Sequence, residues 1–300
     1  MNKRELGQSG LYVSEIGLGC MSLPPNKQEA QKIVNAAIHH GITYFDTADL
    51  YDKGENEVVV GHALKGKRQD MFLATKVGNK LNVDGSGWTW DSSKSYITSQ
   101  VKKSLTRLQT DYIDLYQLHG GTMEDNLEEA VDAFESLKKE GLIRTYGISS
   151  IRPNVIERLF SKSAASSVMM QYSMLDRRPE EWFDLISAHG ASVVTRGSLA
   201  KGLLTSEALR RAEQSSGYLE YSKELLIDTL SELENHSQDL SSLALAFVLQ
   251  HKQVSAILVG ASSEHQINDT MQAYHQPISN STLDQAKNLL RDDRYKEHRI

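Results

Sequence analysis

Short apolar runs and amphipathic stretches alternate along almost the whole of this 300-residue chain. Runs with the character of strands begin near residues 15, 44, 72, 113, 145, 168, 192 and 254. Between them lie stretches of helical period. Ala30, Ile33, Val34, Ala37 and Ile38 share one helical face. Asn26, with Glu29 three residues on, opens that stretch in the manner of a capping box, and Gly41 closes it. Ile97, Val101, Leu105 and Leu108 mark a second helix; Leu127, Ala130, Val131, Phe134 and Leu137 mark a third, ending at Gly141. Such alternation argues for a parallel sheet with helices outside it. The runs Ser192-Val193-Val194-Thr195 and Ala256-Ile257-Leu258-Val259 are mostly apolar, as strands covered on both faces are. The open doubly wound sheet would carry G-x-G-x-x-G after its first strand. Gly17-Leu18-Gly19-Cys20-Met21-Ser22-Leu23 begins that way and lacks the third glycine. The expected fold is α/β, a (β/α)8 TIM barrel, with residues 1–300 forming one domain.

Two intervals break the rhythm. Residues 79–93 read as a long loop holding Trp88 and Trp90, either substrate contacts or pins that fix the loop to the barrel. Ser206 to Asp239 reads as a loop with inserted helices, leading into the apolar helix of Leu240 to His251.

Composition excludes several classes. Hydrophobic residues are 39% and charged residues 24% of the chain, ordinary for a globular protein. No apolar stretch approaches the roughly 18–20 residues that cross a bilayer, and Met1 to Gly7 lack the apolar core of a signal peptide. Cys20 is the only cysteine, so no intrachain disulfide forms and a cytoplasmic location is the expectation. Net charge is −6, and the basic doublets Lys102-Lys103, Lys138-Lys139, Arg177-Arg178 and Arg210-Arg211 read as solvated helix faces. Neither nucleic acid nor membrane is an expected partner. No metal site is expected either: His39-His40, His62, His119, His189 and His251 show no paired-ligand spacing at strand ends.

Asp46, Lys76 and His119 each end an apolar run, and Tyr51 lies in the loop after the run that Asp46 ends. In a parallel barrel an acid, an amine, an imidazole and a phenol would then meet at one mouth. A free tyrosine, with a pKa of about 10, is a poor acid near neutrality. An ammonium beside it favours the phenolate, so Lys76 would prepare Tyr51 to give up a proton, with Asp46 holding Lys76 charged. His119 could hydrogen-bond and polarise a substrate carbonyl. No side chain can supply a hydride, so a cofactor must.

At full length the chain resembles an aldo-keto reductase. The resemblance runs through Leu6 to Ser14, Gly41 to Tyr51, Ala74 to Val77, Asp111 to His119, Gly141 to Ser149 and Leu199 to Thr205. It implies NADP(H)-dependent reduction of aldehydes or ketones, with NAD(H) as the alternative cofactor. It also implies Tyr51 as general acid, completed by Lys76, Asp46 and His119, and a monomer acting on a small carbonyl substrate. A barrel of this kind carries an N-terminal β-hairpin closing its bottom and long loops at the C-terminal face. By the same resemblance Gly19, Cys20, Met21 and Asp46 lie by the nicotinamide ribose, and Ser149 and Gln171 hold the carboxamide. Arg196, Ser198, Leu199, Lys201 and Leu203 follow, the last four over the pyrophosphate. Gly260, Ser262, Gln266, Asp269 and Thr270 contact the adenosine end. The family pattern is departed from at Ser150, where Asn is usual, and at Arg196, where an aromatic commonly stacks on the nicotinamide. A guanidinium there disfavours the cationic, oxidised ring. Gly260-Ala261-Ser262-Ser263 lacks the Lys or Arg that often grips the 2′-phosphate, leaving Ser262 and backbone amides, or modest discrimination against NADH.

Two further functions compete on the sequence alone. One is an NADPH-binding barrel that senses redox state without physiological turnover; the other is a lyase forming a Schiff base on Lys76.

Overall fold

In the computed structural model, which describes residues 1–300 apart from Val83, Gly85, Gln238 and Ile300, eight parallel strands close into a barrel. They are β1 (Ile16–Gly19), β2 (Tyr44–Asp46), β3 (Phe72–Val77), β4 (Ile113–Leu118), β5 (Ile143–Ser149), β6 (Ser167–Gln171), β7 (Ser192–Arg196) and β8 (Val254–Gly260). They pair in chain order, and β8 returns to β1 through Gly260 opposite Gly19. All eight start within three residues of where the hydrophobic pattern puts them.

The helices pack outside. Asn26 caps α1 (Lys27–His39) by accepting from the amides of Gln28 and Glu29. Ser93 and Asn126 do the same for α3 (Lys94–Leu108) and α4 (Leu127–Lys139), which follow α2 (Glu55–Ala63). The apolar stripes of α1, α3 and α4 are the buried ones: Ala30, Ile33, Val34 and Ala37; Ile97, Val101 and Leu108; Leu127, Ala130, Phe134 and Leu137.

Strand alternation divides the barrel interior into two zones. Tyr44, Phe72, Ala74, Leu115, Met169, Val194, Ala256 and Leu258 pack with Leu6 and Val13 into one apolar plug. Leu6 and Val13 come from an N-terminal hairpin, Lys3–Glu5 paired with Tyr12–Ser14. Arg4 ties that hairpin to the carbonyls of Leu249, His251 and Val254, at the end where β8 begins. Two residues further along β2, β3 and β4 the same inward face carries Asp46, Lys76 and Gln117. The apolar end is sealed, and the polar residues are left at the C-terminal mouth.

The interval from 206 to 239 holds α5 (Ala208–Gln214), a short hairpin of Gly217–Tyr218 with Tyr221–Ser222, and α6 (Lys223–His236). Gln238 of that interval lies outside the described residues. Residues 79–93 differ from expectation. They form a β-hairpin, Asn79–Leu81 against Trp88–Trp90, rather than an irregular loop. Its signal was weak because Asn79, Lys80 and Asn82 are poor strand formers. Val83 and Gly85 lie outside the described residues.

Candidate active site

The register of the barrel sets the distances at its mouth. Asp46 on β2 lies opposite Ala74 on β3, and Lys76 on β3 lies opposite Gln117 on β4. Beyond β2 the chain stays bonded to β3, through Thr47 N–H to the Ala74 carbonyl and Asp49 N–H to that of Lys76. It then turns sharply. Asp52 and Lys53 have φ of 48° and 57°, a region that costs a non-glycine residue about 1–2 kcal/mol. Tyr51 sits immediately before this turn, so its backbone is held on both sides.

The Lys76 ammonium is fully buried and spends its donors on three acceptors. One is Asp46 Oδ1, the second is the Thr47 carbonyl at 2.7 Å, and the third is the Tyr51 hydroxyl oxygen at 3.3 Å. The second Asp46 oxygen accepts from Gln117 Nε2 at 3.0 Å. Burial works against charge on Lys76, but Asp46 and Tyr51 more than offset it and hold the amine above its ordinary value. Burial pushes the Asp46 carboxyl up as well, against Lys76 and Gln117. Of the two directions the lysine's governs. A neutral pair would leave a buried amine with a weaker acceptor and no charge to steady the phenol.

His119 stands edge-on to Tyr51, ring centroids 5.9 Å apart at 86°. Its backbone N–H donates to the Val77 carbonyl at 2.7 Å, and its own carbonyl accepts from Asn79 Nδ2. Burial, then the charges of Lys76 and Arg196, lower the imidazole to about 3, so it is neutral at any working pH. Among the described residues Nδ1 is buried without a partner, and His119 lines the cleft.

The four residues read from strand ends are therefore together, around a cleft of about 840 Å³ at the C-terminal mouth. That size is in the range of small-molecule sites. Gly19, Met21, Ser149, Arg196 and Gly260 line the same cleft. Gln171 stands beside it with its amide spent, donating to Asp176 and accepting from Arg196 Nη1. Cys20, Ser198 and Leu203 are buried instead. Ser198 Oγ donates to the Tyr172 carbonyl, and burial pushes the Cys20 thiol far up, so neither offers a reactive group. Leu199 packs partly on the core and Lys201 is exposed. At the far end Ser262 donates to Gln266 Oε1, Thr270 Oγ1 is turned back to the Gln266 carbonyl, and Asp269 is exposed beside His265.

Both tryptophans line the cleft. Trp90 is also pinned: Nε1 donates to Asp125 Oδ1 at 2.7 Å, and its ring covers Gly78 and Gly120. A Cβ on Gly78 would lie 2.6 Å from that ring, so glycine is required there. Trp88 is 52% exposed and lines the cleft with no hydrogen bond of its own among the described residues.

Three residues of the site escaped the sequence reading. Gln117 precedes His119 by two, so strand period alone places it on the same inward face. Asn79 opens a hairpin strand of poor strand formers, and Arg152 sits in the loop after β5, where no period applies; only the structure brings the two to the cleft wall.

The geometry can therefore hold a proton donor, a neutral hydrogen-bond donor and a buried ion pair against one cleft. Comparisons agree with that chemistry. The model of the Aldo/keto reductase family matches residues 15–291. A Bacillus subtilis protein named uncharacterized oxidoreductase YqkF is 50% identical over 305 residues, covering all of both chains. Aldo-keto reductase yakc of Schizosaccharomyces pombe, whose name carries NADP(+), is 32% identical over 64% of this chain and 60% of that protein. The solved structure of aldo-keto reductase AKR11C1 from Bacillus halodurans, holo form, superposes with a TM-score of 0.94 at 50% identity over all of both chains.

Proposed function

This chain belongs to the aldo/keto reductase family of nicotinamide-dependent oxidoreductases, and we propose that it reduces aldehydes or ketones to alcohols with NADPH, Tyr51 being the general acid. The observation that carries this reading is the Tyr51 oxygen 3.3 Å from a lysine that is itself locked to Asp46.

The cleft fits a dinucleotide. Gly19 and Gly260 are register partners and bring bare backbone to its wall, where a flat ring or a ribose can approach closely. Ser149 Oγ has no protein partner among the described residues and is open to the carboxamide. Met21 and Asp46 would flank the nicotinamide ribose. Arg196 would lie over the ring, and Leu199 and Lys201 over the pyrophosphate with the backbone of Cys20, Ser198 and Leu203. Gln171 would join Ser149 by giving up its bond to Arg196. Ser262, Gln266, Asp269 and Thr270 would take the adenosine end. NADPH is preferred over NADH in this reading because a relative's name carries NADP(+).

Reduced nicotinamide, when bound, supplies the hydride. The chain's own residues do the rest. Neutral His119 donates from Nε2 to the carbonyl oxygen and fixes its direction. Tyr51 passes its proton to that oxygen as the carbon is reduced, completing the alcohol. Lys76 steadies the negative charge left on the Tyr51 oxygen, and Asp46 keeps Lys76 charged.

The Schiff-base reading requires an uncharged, accessible amine. Lys76 is neither, with its donors on Asp46, Thr47 and Tyr51. The decisive experiment is Tyr51→Phe assayed beside wild type. NADPH affinity should persist while carbonyl reduction falls by about a hundredfold or more. Undiminished turnover would remove Tyr51 as the acid. A wild type that binds NADPH and turns over no carbonyl would favour the redox-sensing barrel.

A further inference from the structure

The two halves of the cleft wall differ in what they offer. Loops and strand ends of β5 through β8 and β1 carry Ser149, Arg196, Gly260 and Gly19, the residues assigned above to the dinucleotide. The opposite half is built after β2, β3 and β4, by Tyr51, the tryptophan hairpin and Gly120 to Thr122. Arg152, in the loop after β5, stands at the boundary and reaches to the second half: its Nη1 donates to the Gly121 carbonyl at 2.7 Å.

We propose that this half takes a carbonyl compound bearing a carboxylate, and that Arg152 is the residue that grips the carboxylate. The inference rests on the reductase reading. With Nη1 engaged by Gly121, the Nε–Nη2 edge of Arg152 has no protein partner among the described residues. That edge is the one with which Arg177 and Arg178 each hold a carboxylate by two bonds elsewhere in the chain, at 2.7 to 2.9 Å. Two parallel N–H donors match the two oxygens of a carboxylate.

Among the described residues no carboxylate of the wall competes for it. Asp46 is bound to Lys76 and Gln117. Asp125 accepts from Trp90 Nε1 and from Thr122 N–H, and it makes no ion pair with Arg152 among the described residues. The remaining charged group lining the cleft, Arg196, lies on the dinucleotide side and donates to Gln171. A partly buried guanidinium that has no acid partner among the described residues, in one cleft with Trp88 and Trp90 and bonded to the loop that follows His119, is arranged for an anion brought by the substrate.

A matched pair of probes tests this: 4-carboxybenzaldehyde and the methyl ester of the same aldehyde, each assayed with NADPH. Wild type should favour the acid in kcat/KM, and that acid-to-ester ratio should fall as salt is raised. Arg152→Gln should lower the ratio roughly tenfold to a hundredfold, the loss of one charge-assisted contact, and Arg152→Lys should restore part of it. A wild-type preference for the ester, or an unchanged ratio in Arg152→Gln, overturns the proposal while the reduction of both aldehydes leaves the reductase reading standing. Failure of wild type to reduce either probe sinks both.

Discussion

Gln117 donates from Nε2 to Asp46 Oδ2 at 3.0 Å, and so fixes from β4 the acid that β2 presents to Lys76. Both side chains are buried, and the other Asp46 oxygen is taken by Lys76. The ion pair thus has a third member. Replacing Gln117 by Leu leaves a carboxylate oxygen in the barrel without a donor. Urea unfolding should show a loss of about 1–3 kcal/mol, and kcat should fall with it. Wild-type values for both would mean that the Gln117 bond holds nothing in place.

His119 is lowered to about 3 by burial, with Lys76 and Arg196 adding to it. The native state therefore binds fewer protons at this site than the unfolded chain between that value and the free imidazole's, about 6.5. Stability contributed by the neutral ring is complete above that window and is lost as pH falls through it. The stability difference between wild type and His119→Gln should shift against wild type between pH 7 and pH 4. The ring protons of His119 should show no NMR titration between pH 5 and pH 8, and a midpoint near 6.5 would contradict this picture.

Asp49 runs the opposite way. Burial and the nearby Glu57 raise its carboxyl to about 7 against the pull of Arg107, and its Oδ1 has no partner among the described residues. A raised carboxyl makes the native state bind more protons than the unfolded chain from about pH 4 to pH 7, so stability falls as pH rises through that interval. Asp49→Asn should be more stable relative to wild type at pH 8 than at pH 5. The same difference at both pH values would show that Asp49 does not titrate in that interval.

Arg196 lines the cleft and is exposed, its Nη1 on Gln171. If the guanidinium lies over the nicotinamide, its charge disfavours the oxidised, cationic ring. Arg196→Tyr should therefore raise affinity for NADP⁺ relative to NADPH by several-fold, read by titration of each form. No change in the ratio of the two affinities removes the stacking role.

The barrel was legible because its evidence is local. Eight apolar runs at near-regular spacing, stripes such as Ala30 to Ala37, and caps such as Asn26 each specify their own element through neighbours a few residues away. Strand period also carries part of the site: with Tyr44 pointing into the barrel, Asp46 must as well, and Gln117 must share a face with Leu115 and His119. The hairpin of residues 79–90 was less legible, since its pairing depends on Trp90 finding Gly78, Gly120 and Asp125, all supplied by the folded barrel.

What the chain determined by itself is an order of strands and helices and a set of titratable groups at strand ends. Tertiary structure decided the distances: that Lys76 reaches the Thr47 carbonyl and the Tyr51 oxygen at once, and that Arg152 spans to Gly121 with one edge left over. Those contacts join residues 25 to 31 positions apart, and only the pairing of neighbouring parallel strands across their helical crossovers brings such positions within hydrogen-bonding range.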